Sequence, residues 1–471
     1  MSLVYIEWIN TLGKVNNCNE KKEIEYFNKN FNLNWLENPT LFTKELITKL
    51  KFIEKNRFQG NNHYVTSFKG VGNVKIQNET KYPQFDWKNR QFRLLSLFKY
   101  WNVIEYFFPY KYQMDKNWDL VLRESILKFL NPISESDYHL AMLELIVNIN
   151  DSHGYFNSYF TNSYFGKYWI PAKFQILNEK VVITGFYNEN LSKENDLKIG
   201  DVISKVDGKE IKSIFQGRSK YISGSNTSIK SLNSYNKIFN GSSLSVKIEF
   251  ERDGEIKNKQ IKRYPFYEFN YKKPITEKWK LIDNNIGYIN MGELEKEDVK
   301  MVMDSLSKTK AIIFDIRNYP KGTMYSISEY LNEKPKDFAK FTIPDLSYPG
   351  KFKWTKSYRC GKENPKAYKG KVILLVNAVT QSHAEFTAMC LQTAKNVITI
   401  GSQTSGADGN VSRIELVGGF KTMFTGIGVF YPNGTETQRK GIIIDIKVNP
   451  TIDGIRQGRD ELLEKAVEIA K

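Results

Sequence analysis

Ser382 lies six residues past the apolar run Val372-Ile373-Leu374-Leu375-Val376 and three residues before Glu385. The run reads as a buried strand, and the stretch from about residue 382 onward as a helix. The hydroxyl therefore falls at a helix N-terminus, where unpaired backbone N–H groups and the helix dipole favour negative charge. Two chemistries fit. Serine followed three residues later by Glu is the pattern of a capping box, in which the hydroxyl only closes the helix. The same hydroxyl beside a base is a nucleophile whose oxyanion product those N–H groups would hold. The local sequence leaves both open.

A base must come from a short list, since the chain has only four histidines, His63, His139, His153 and His383. His383 adjoins Ser382 and would leave the helix on another face, which suits its backbone N–H to an oxyanion better than its ring to proton transfer. His153, in Asn150-Asp151-Ser152-His153-Gly154-Tyr155, is either a base or a loop histidine that caps a helix C-terminus. There is no HExxH and no histidine pair with a third ligand nearby, so no metal is expected. Neither GxGxxG nor a Walker motif occurs, and Cys18, Cys360 and Cys390 form no CxxC pair, so no cofactor is expected either.

The elements that would carry these groups can be read from pattern. At 471 residues, and about 150 residues per domain, the chain has room for roughly three domains. An apolar share of 41% with 26% charged residues excludes disorder. The net charge of +17 is spread along the whole length without a basic run, which reads as solvated surface rather than a nucleic-acid footprint. No stretch of 18 apolar residues exists, so no membrane span is expected. Residues 1–85 read as an accessory region with a helix over 43–54. Residues 86–160 read as a helical bundle, with helices over 92–108, 118–129 and 137–148. Residues 161–267 change to short strands over 174–176, 181–184, 202–206 and 246–251, separated by Asp-Gly turns. From 268 to 471 strands (286–291, 311–316, 371–377, 397–400) alternate with helices (297–306, 385–394, 458–470), which predicts an α/β layer of buried parallel strands. The fold class is thus multidomain α/β.

Two resemblances follow from these residues. The segment Leu197-Lys198-Ile199-Gly200-Asp201-Val202 through Val206-Asp207-Gly208 is similar to the GLxxGDxIxxVdG stretch of PDZ domains, with Asp196 where Gly is usual. It implies an exposed sheet edge that takes an extended peptide, with Leu197 and Gly200 among the binding positions. The Ser382 segment resembles the T-x-S-x-x-E nucleophile motif of the tail-specific, or C-terminal processing, serine proteases. Three more segments match that family in order: Asp315-Ile316-Arg317-Asn318-Tyr319-Pro320-Lys321-Gly322 resembles DLRxNxGG, Gly401-Ser402-Gln403-Thr404-Ser405-Gly406 resembles GxxTxG, and Gly441-Ile442-Ile443-Ile444-Asp445-Ile446 resembles GIxPDI.

The resemblance spans about residues 86–471. It implies a crotonase-like α/β catalytic domain with an inserted PDZ-like module and an N-terminal helical bundle. Members with a Ser/Lys dyad carry a lysine where this chain has Ala407, so the likeness is to the branch of the tricorn protease core, where a Ser-His pair ahead of the PDZ module supplies the base. Carried over residue by residue, Ser382 is the nucleophile, His153 the base assisted by Ser152, and the N–H groups of His383 and Gly322 the oxyanion donors. Lys321 replaces the first glycine of that turn. The third member, often Glu, is Gln438, whose amide can accept from an imidazole but cannot stabilise an imidazolium by charge. Thr404, Gly406 and Asp408 would line the cleft, Asp408 either reading a basic group or standing as a solvated loop carboxylate. The implied function is a serine endopeptidase acting on a peptide or protein through an acyl-enzyme. The alternative is a non-catalytic binder of peptides or hydrophobic ligands on the same fold. The N-terminus shows no export signal, which implies the cytoplasm, or a bacterial cell envelope if a signal segment has been removed.

Overall fold

The computed structural model describes residues 2–11, 13, 24–177, 179–272, 274 and 276–471; Cys18 lies outside them. Three helices follow one another where the apolar spacing predicts them: α1 (Arg90–Phe107), α2 (Trp118–Leu130) and α3 (Glu135–Val147). Each begins on a polar cap. Asn89 and Asn117 accept two backbone N–H groups apiece, and Ser134 accepts one from Asp137. Their buried faces meet through Leu97, Tyr100, Ile104, Val121, Phe129 and Ile146. Trp101 and Trp118 lock α1 to the start of α2, each indole N–H donating to the other's backbone oxygen at 3.0 and 3.1 Å. At the end of α3, Asn150 takes a left-handed φ of 52° and turns the chain into Asp151, Ser152 and His153. Its amide is fixed by a two-way pairing with Asp115.

The next region is an antiparallel sheet of β1 (Ala172–Leu177), β2 (Lys180–Phe186), β3 (Val202–Val206), β4 (Ser245–Arg252) and β5 (Glu255–Lys262), in the order β5-β4-β3-β2-β1. Helices α4 (Ile211–Arg218) and α5 (Thr227–Asn233) pack beside it. The sequence pattern does not announce β5. Its Glu-Ile-Lys-Asn-Lys-Gln-Ile-Lys run has only Ile261 buried, the composition of a lysine-protected edge strand.

The C-terminal region is built on a six-stranded sheet. In chain order the elements are β6 (Trp279–Ile282), β7 (Ile286–Asn290), β8 (Ala311–Asp315), α6 (Met324–Leu331), β9 (Lys336–Pro344), β10 (Lys371–Val376), α7 (His383–Leu391), β11 (Val397–Gly401), β12 (Val411–Glu415), β13 (Lys421–Thr425), β14 (Gly428–Phe430), β15 (Ile446–Lys447) and α8 (Glu461–Ala470). The sheet order is β6-β7-β8-β10-β11-β15, with every pair parallel except β6-β7. All five residues of β8 are buried, because helices cover both faces. Ile312, Phe314 and Leu374 face α6 and α7, while Ala311, Ile313 and Ile373 face α8. A second sheet is formed by β9 with Phe352–Trp354, Tyr358–Cys360 and β14. Tyr26–Phe27, from the region read as accessory, adds a strand to it against Phe352–Trp354. β12 and β13 form a hairpin that reaches back to the Asp151 turn. Among the described residues no helix is long and apolar enough to cross a membrane.

Candidate active site

β10 delivers the chain to Asn377, and a short turn then leads into α7. Thr380 holds the turn, accepting from Asn377 N at 3.1 Å and donating to Ile316 O at 2.8 Å. Ser382 follows with φ 55° and ψ −122°, a conformation that costs a non-glycine residue about 1–3 kcal/mol. Ser134 and Ser158, two serines whose hydroxyls cap helices, sit at φ −144° with ψ near 166°, the ordinary extended geometry of such a cap. Ser382 is thus held as a strained strand-to-helix elbow at the end of a central strand. Its N–H is shared between Ala407 O at 3.1 Å and Glu385 Oε2 at 3.2 Å.

Glu385 is the anchor of this elbow. Its side chain is fully buried and accepts four hydrogen bonds: from Thr404 Oγ1 at 2.5 Å, Gly406 N at 2.8 Å, Ala407 N at 3.0 Å and the Ser382 N–H. Burial pushes its carboxyl up and these four donors pull against the shift. The 404–407 loop can come this close because Gly406 takes φ 64°; a Cβ there would stand 2.7 Å from the Arg439 carbonyl carbon. Thr404 and Gly406, expected along the cleft, are turned inward to grip Glu385.

Ser382 and His153 line one cavity of about 420 Å³, together with Gln381, His383, Asp408 and Tyr319. Phe341, Phe386, Ile427 and Val429 give it an apolar wall. No hydrogen bond joins Ser382 Oγ to the imidazole in this structure; such contacts tighten when substrate binds. The His383 ring stands beside Tyr319, and burial lowers its basicity. Gly322 precedes α6 with φ 74°, the only positive φ in its turn, so Lys321 fits in place of the expected glycine and its ammonium reaches Glu295 at 2.5 Å. Among the described residues the N–H groups of His383 and Gly322 have no acceptor.

His153 is 7% exposed, and its Nδ1 side is occupied. Thr425 Oγ1 lies 2.8 Å from Nδ1, and Asp151 Oδ1 lies 3.5 Å from it. In the sequence Asp151 is indistinguishable from a turn aspartate, and a lone threonine 272 residues downstream of His153 carries no signal of its own. Gln438, expected beside the ring, makes no hydrogen bond to it. Its amide is buried with both ends unpartnered among the described residues, and Thr425 fills the place it was given. Ser152 does not bond the ring either. It exchanges hydrogen bonds with Ser225 at 2.9 Å and reaches Ser405 O at 3.4 Å.

Asp408 is buried rather than solvated, with Oδ2 unpartnered among the described residues. Burial first, and the nearby Glu385 charge second, hold its carboxyl well above the usual carboxylate range. The folded chain therefore keeps this proton to higher pH than the unfolded chain, and stability must fall as pH rises through the window above the ordinary Asp value. Asp408→Asn is expected to remove that slope. Melting temperatures of wild type and variant should diverge in favour of the variant as pH rises, and parallel curves would show the carboxyl to be ordinary.

The edge strand β1 borders a groove of about 720 Å³ lined by Phe174, Ile176, Tyr187, Phe215, Leu232 and Tyr235. Leu197 and Gly200, expected to bind peptide, lie elsewhere. Leu197 is in the core under the sheet, and Gly200 packs on Arg456, whose Nε donates to its carbonyl at 3.3 Å. The groove meets the C-terminal region at Asn377, Val379 and Ser402. Asn226, the cap of α5, donates to Thr404 O, Ser405 O and Arg439 O at 2.8, 3.1 and 3.1 Å, which clasps the antiparallel sheet's helices onto the loops around Ser382.

The model of peptidase family S41 matches residues 285–448. The solved structure of mature CPAF complexed with lactacystin is similar over 81% of this chain and 98% of that one, at 12% identity and a TM-score of 0.63, which shows a shared fold. The photosystem II D1 C-terminal processing protease matches over 78% of this chain and 96% of that one, at 15% identity and a TM-score of 0.45. No curated protein matches the chain.

Proposed function

We propose that the chain, whose residues 285–448 match the model of peptidase family S41, is a serine endopeptidase in which Ser382 forms the acyl-enzyme. The observation that carries this reading is the strained backbone of Ser382, facing the same cavity as His153. Strain of this kind persists only where the surroundings enforce it, and a plain cap has no need of it. Ser382 Oγ attacks the peptide carbonyl while His153 takes its proton. The N–H groups of His383 and Gly322 hold the oxyanion, and His153 returns the proton to the leaving amine. Water then repeats the sequence on the acyl-enzyme. A peptide or protein is the substrate.

In the same reading the region around β6 to α8 is a crotonase-like catalytic domain, α1 to α3 a helical bundle that presents His153, and β1 to β5 a PDZ-like module. An extended peptide would pair with the free edge of β1, with its side chains in the adjoining apolar groove. A fluorophosphonate probe tests the assignment. Label is expected on the peptide containing Ser382 and absent from Ser382→Ala. A wild-type chain that binds peptides yet takes no label would instead be a non-catalytic binder on the same fold.

A further inference from the structure

We infer that Asp151 and Thr425 act as a pair that fixes the protonation of His153: the carboxylate sets the direction of the Thr425 hydroxyl, and the hydroxyl sets the imidazole as its Nδ1–H form. The inference rests on His153 being the base of the proposed reaction, and it names the positioning groups that Gln438 does not supply.

The argument is one of hydrogen counting. The Asp151 side chain is fully buried. Burial would push its carboxyl up, but the neighbouring His153 ring and the backbone N–H groups of Thr425 and His153 outweigh that and hold it below its ordinary value, so it is an acceptor only. Oδ2 accepts from Thr425 N at 2.6 Å. Oδ1 accepts from His153 N at 3.1 Å and from the Thr425 hydroxyl at 2.9 Å. That hydroxyl has one hydrogen and has given it to the carboxylate. At 2.8 Å from Nδ1 it can then only accept, so Nδ1 carries the hydrogen and Nε2 is left with its lone pair. The direct Nδ1 to Oδ1 distance of 3.5 Å is too long to replace this path.

The other titratable and charged groups around the pair are Asp408, Arg413 and His383 along the cavity, Glu385 behind Asp408, and the buried phenols of Tyr100 and Tyr110 facing Asp151. None of these hydrogen-bonds Nδ1. As Ser382 loses its proton to Nε2, the imidazolium keeps Nδ1–H and Asp151 stays ionised, so the carboxylate stabilises the new charge through one intervening hydroxyl. The proton count is unchanged until Nε2 passes its proton to the leaving amine.

The test uses the full chain with 15N-labelled histidine. Four histidines are few enough to assign by comparison with His153→Gln. Neutral His153 is expected as the Nδ1–H tautomer, the form less common in free solution. Thr425→Val should abolish that preference, and Thr425→Ser should restore it. Asp151→Asn should weaken the preference in the same way and reduce the rate by about 10²- to 10⁴-fold. An Nε2–H tautomer in the wild type, or a tautomer unmoved in Thr425→Val, would overturn the inference. The spectra decide this whether or not the chain hydrolyses peptides. Hydrolysis surviving in Ser382→Ala would instead remove the proposed function and leave the Thr425 result standing.

Discussion

Ser382→Ala is expected to lower turnover by about five to six orders of magnitude, the loss seen when a catalytic serine is removed from a hydrolase whose other groups remain. The melting temperature should barely change, since the hydroxyl contributes about 1 kcal/mol at most as a cap. The strained backbone adds a sharper comparison. At φ 55° and ψ −122° glycine is relaxed where serine and alanine are not. Ser382→Gly should therefore be as inactive as Ser382→Ala but should melt above the wild type. At an ordinary cap both substitutions destabilise, so a glycine variant that melts lower would show that the elbow is not strained. Peptide turnover and a thermal melt on the three proteins decide the matter.

Glu385→Ala is expected to be the most damaging change outside the reacting pair. Removing the carboxylate strands three buried donors at once, those of Thr404, Gly406 and Ala407, and leaves the Ser382 N–H to Ala407 O alone. Each stranded donor costs about 1–3 kcal/mol, so a loss of about 3 kcal/mol or more is expected in urea unfolding. Fluorophosphonate labelling should vanish even in the fraction that stays folded, because the serine elbow loses its hold. Glu385→Gln should fall between, since an amide oxygen can serve two donors while its NH₂ faces the others. If the alanine variant labels at the wild-type rate, the carboxylate is not the anchor.

Much of this arrangement is legible in the chain itself, and the parts that are not share a physical cause. The strands β7, β8, β10 and β11 announce themselves because both faces are buried, which forces runs such as Ile312-Ile313-Phe314. The capped helices α1 to α3 are equally plain. The β12–β13 hairpin is hidden because its buried face is half polar: Ser412, Thr422 and Thr425 are as enclosed as Ile414 and Phe424. Periodicity written in threonine and serine does not register as hydrophobic. The same disguise conceals the site. Ser382 and His153 can be picked out by residue type and motif. Asp151 sits two residues from His153, yet nothing local distinguishes it from a turn aspartate. Thr425 acquires its contact only through the packing of the hairpin. The motif position of Gln438 points to the ring, but Gln438 lies in a turn and makes no hydrogen bond to it, and the hydroxyl against Nδ1 is that of Thr425, at the end of β13.

The clasp made by Asn226 and the contact made by Thr425 also set a clock on biosynthesis. Asn226 finds one of its three acceptors at Arg439, 213 residues later, and His153 finds its hydroxyl partner 272 residues later. At a ribosomal pace of about 5–20 residues per second, the histidine waits roughly 15–55 s before the residue that orients it has been made. Over that interval a nascent chain of this protein lacks groups of the proposed proton-transfer site, and its helical core still lacks Ile414, Phe424 and Phe430. On the proposed reading the polypeptide is thus born latent, and it becomes competent only when the segment carrying Thr425 and Arg439 has docked.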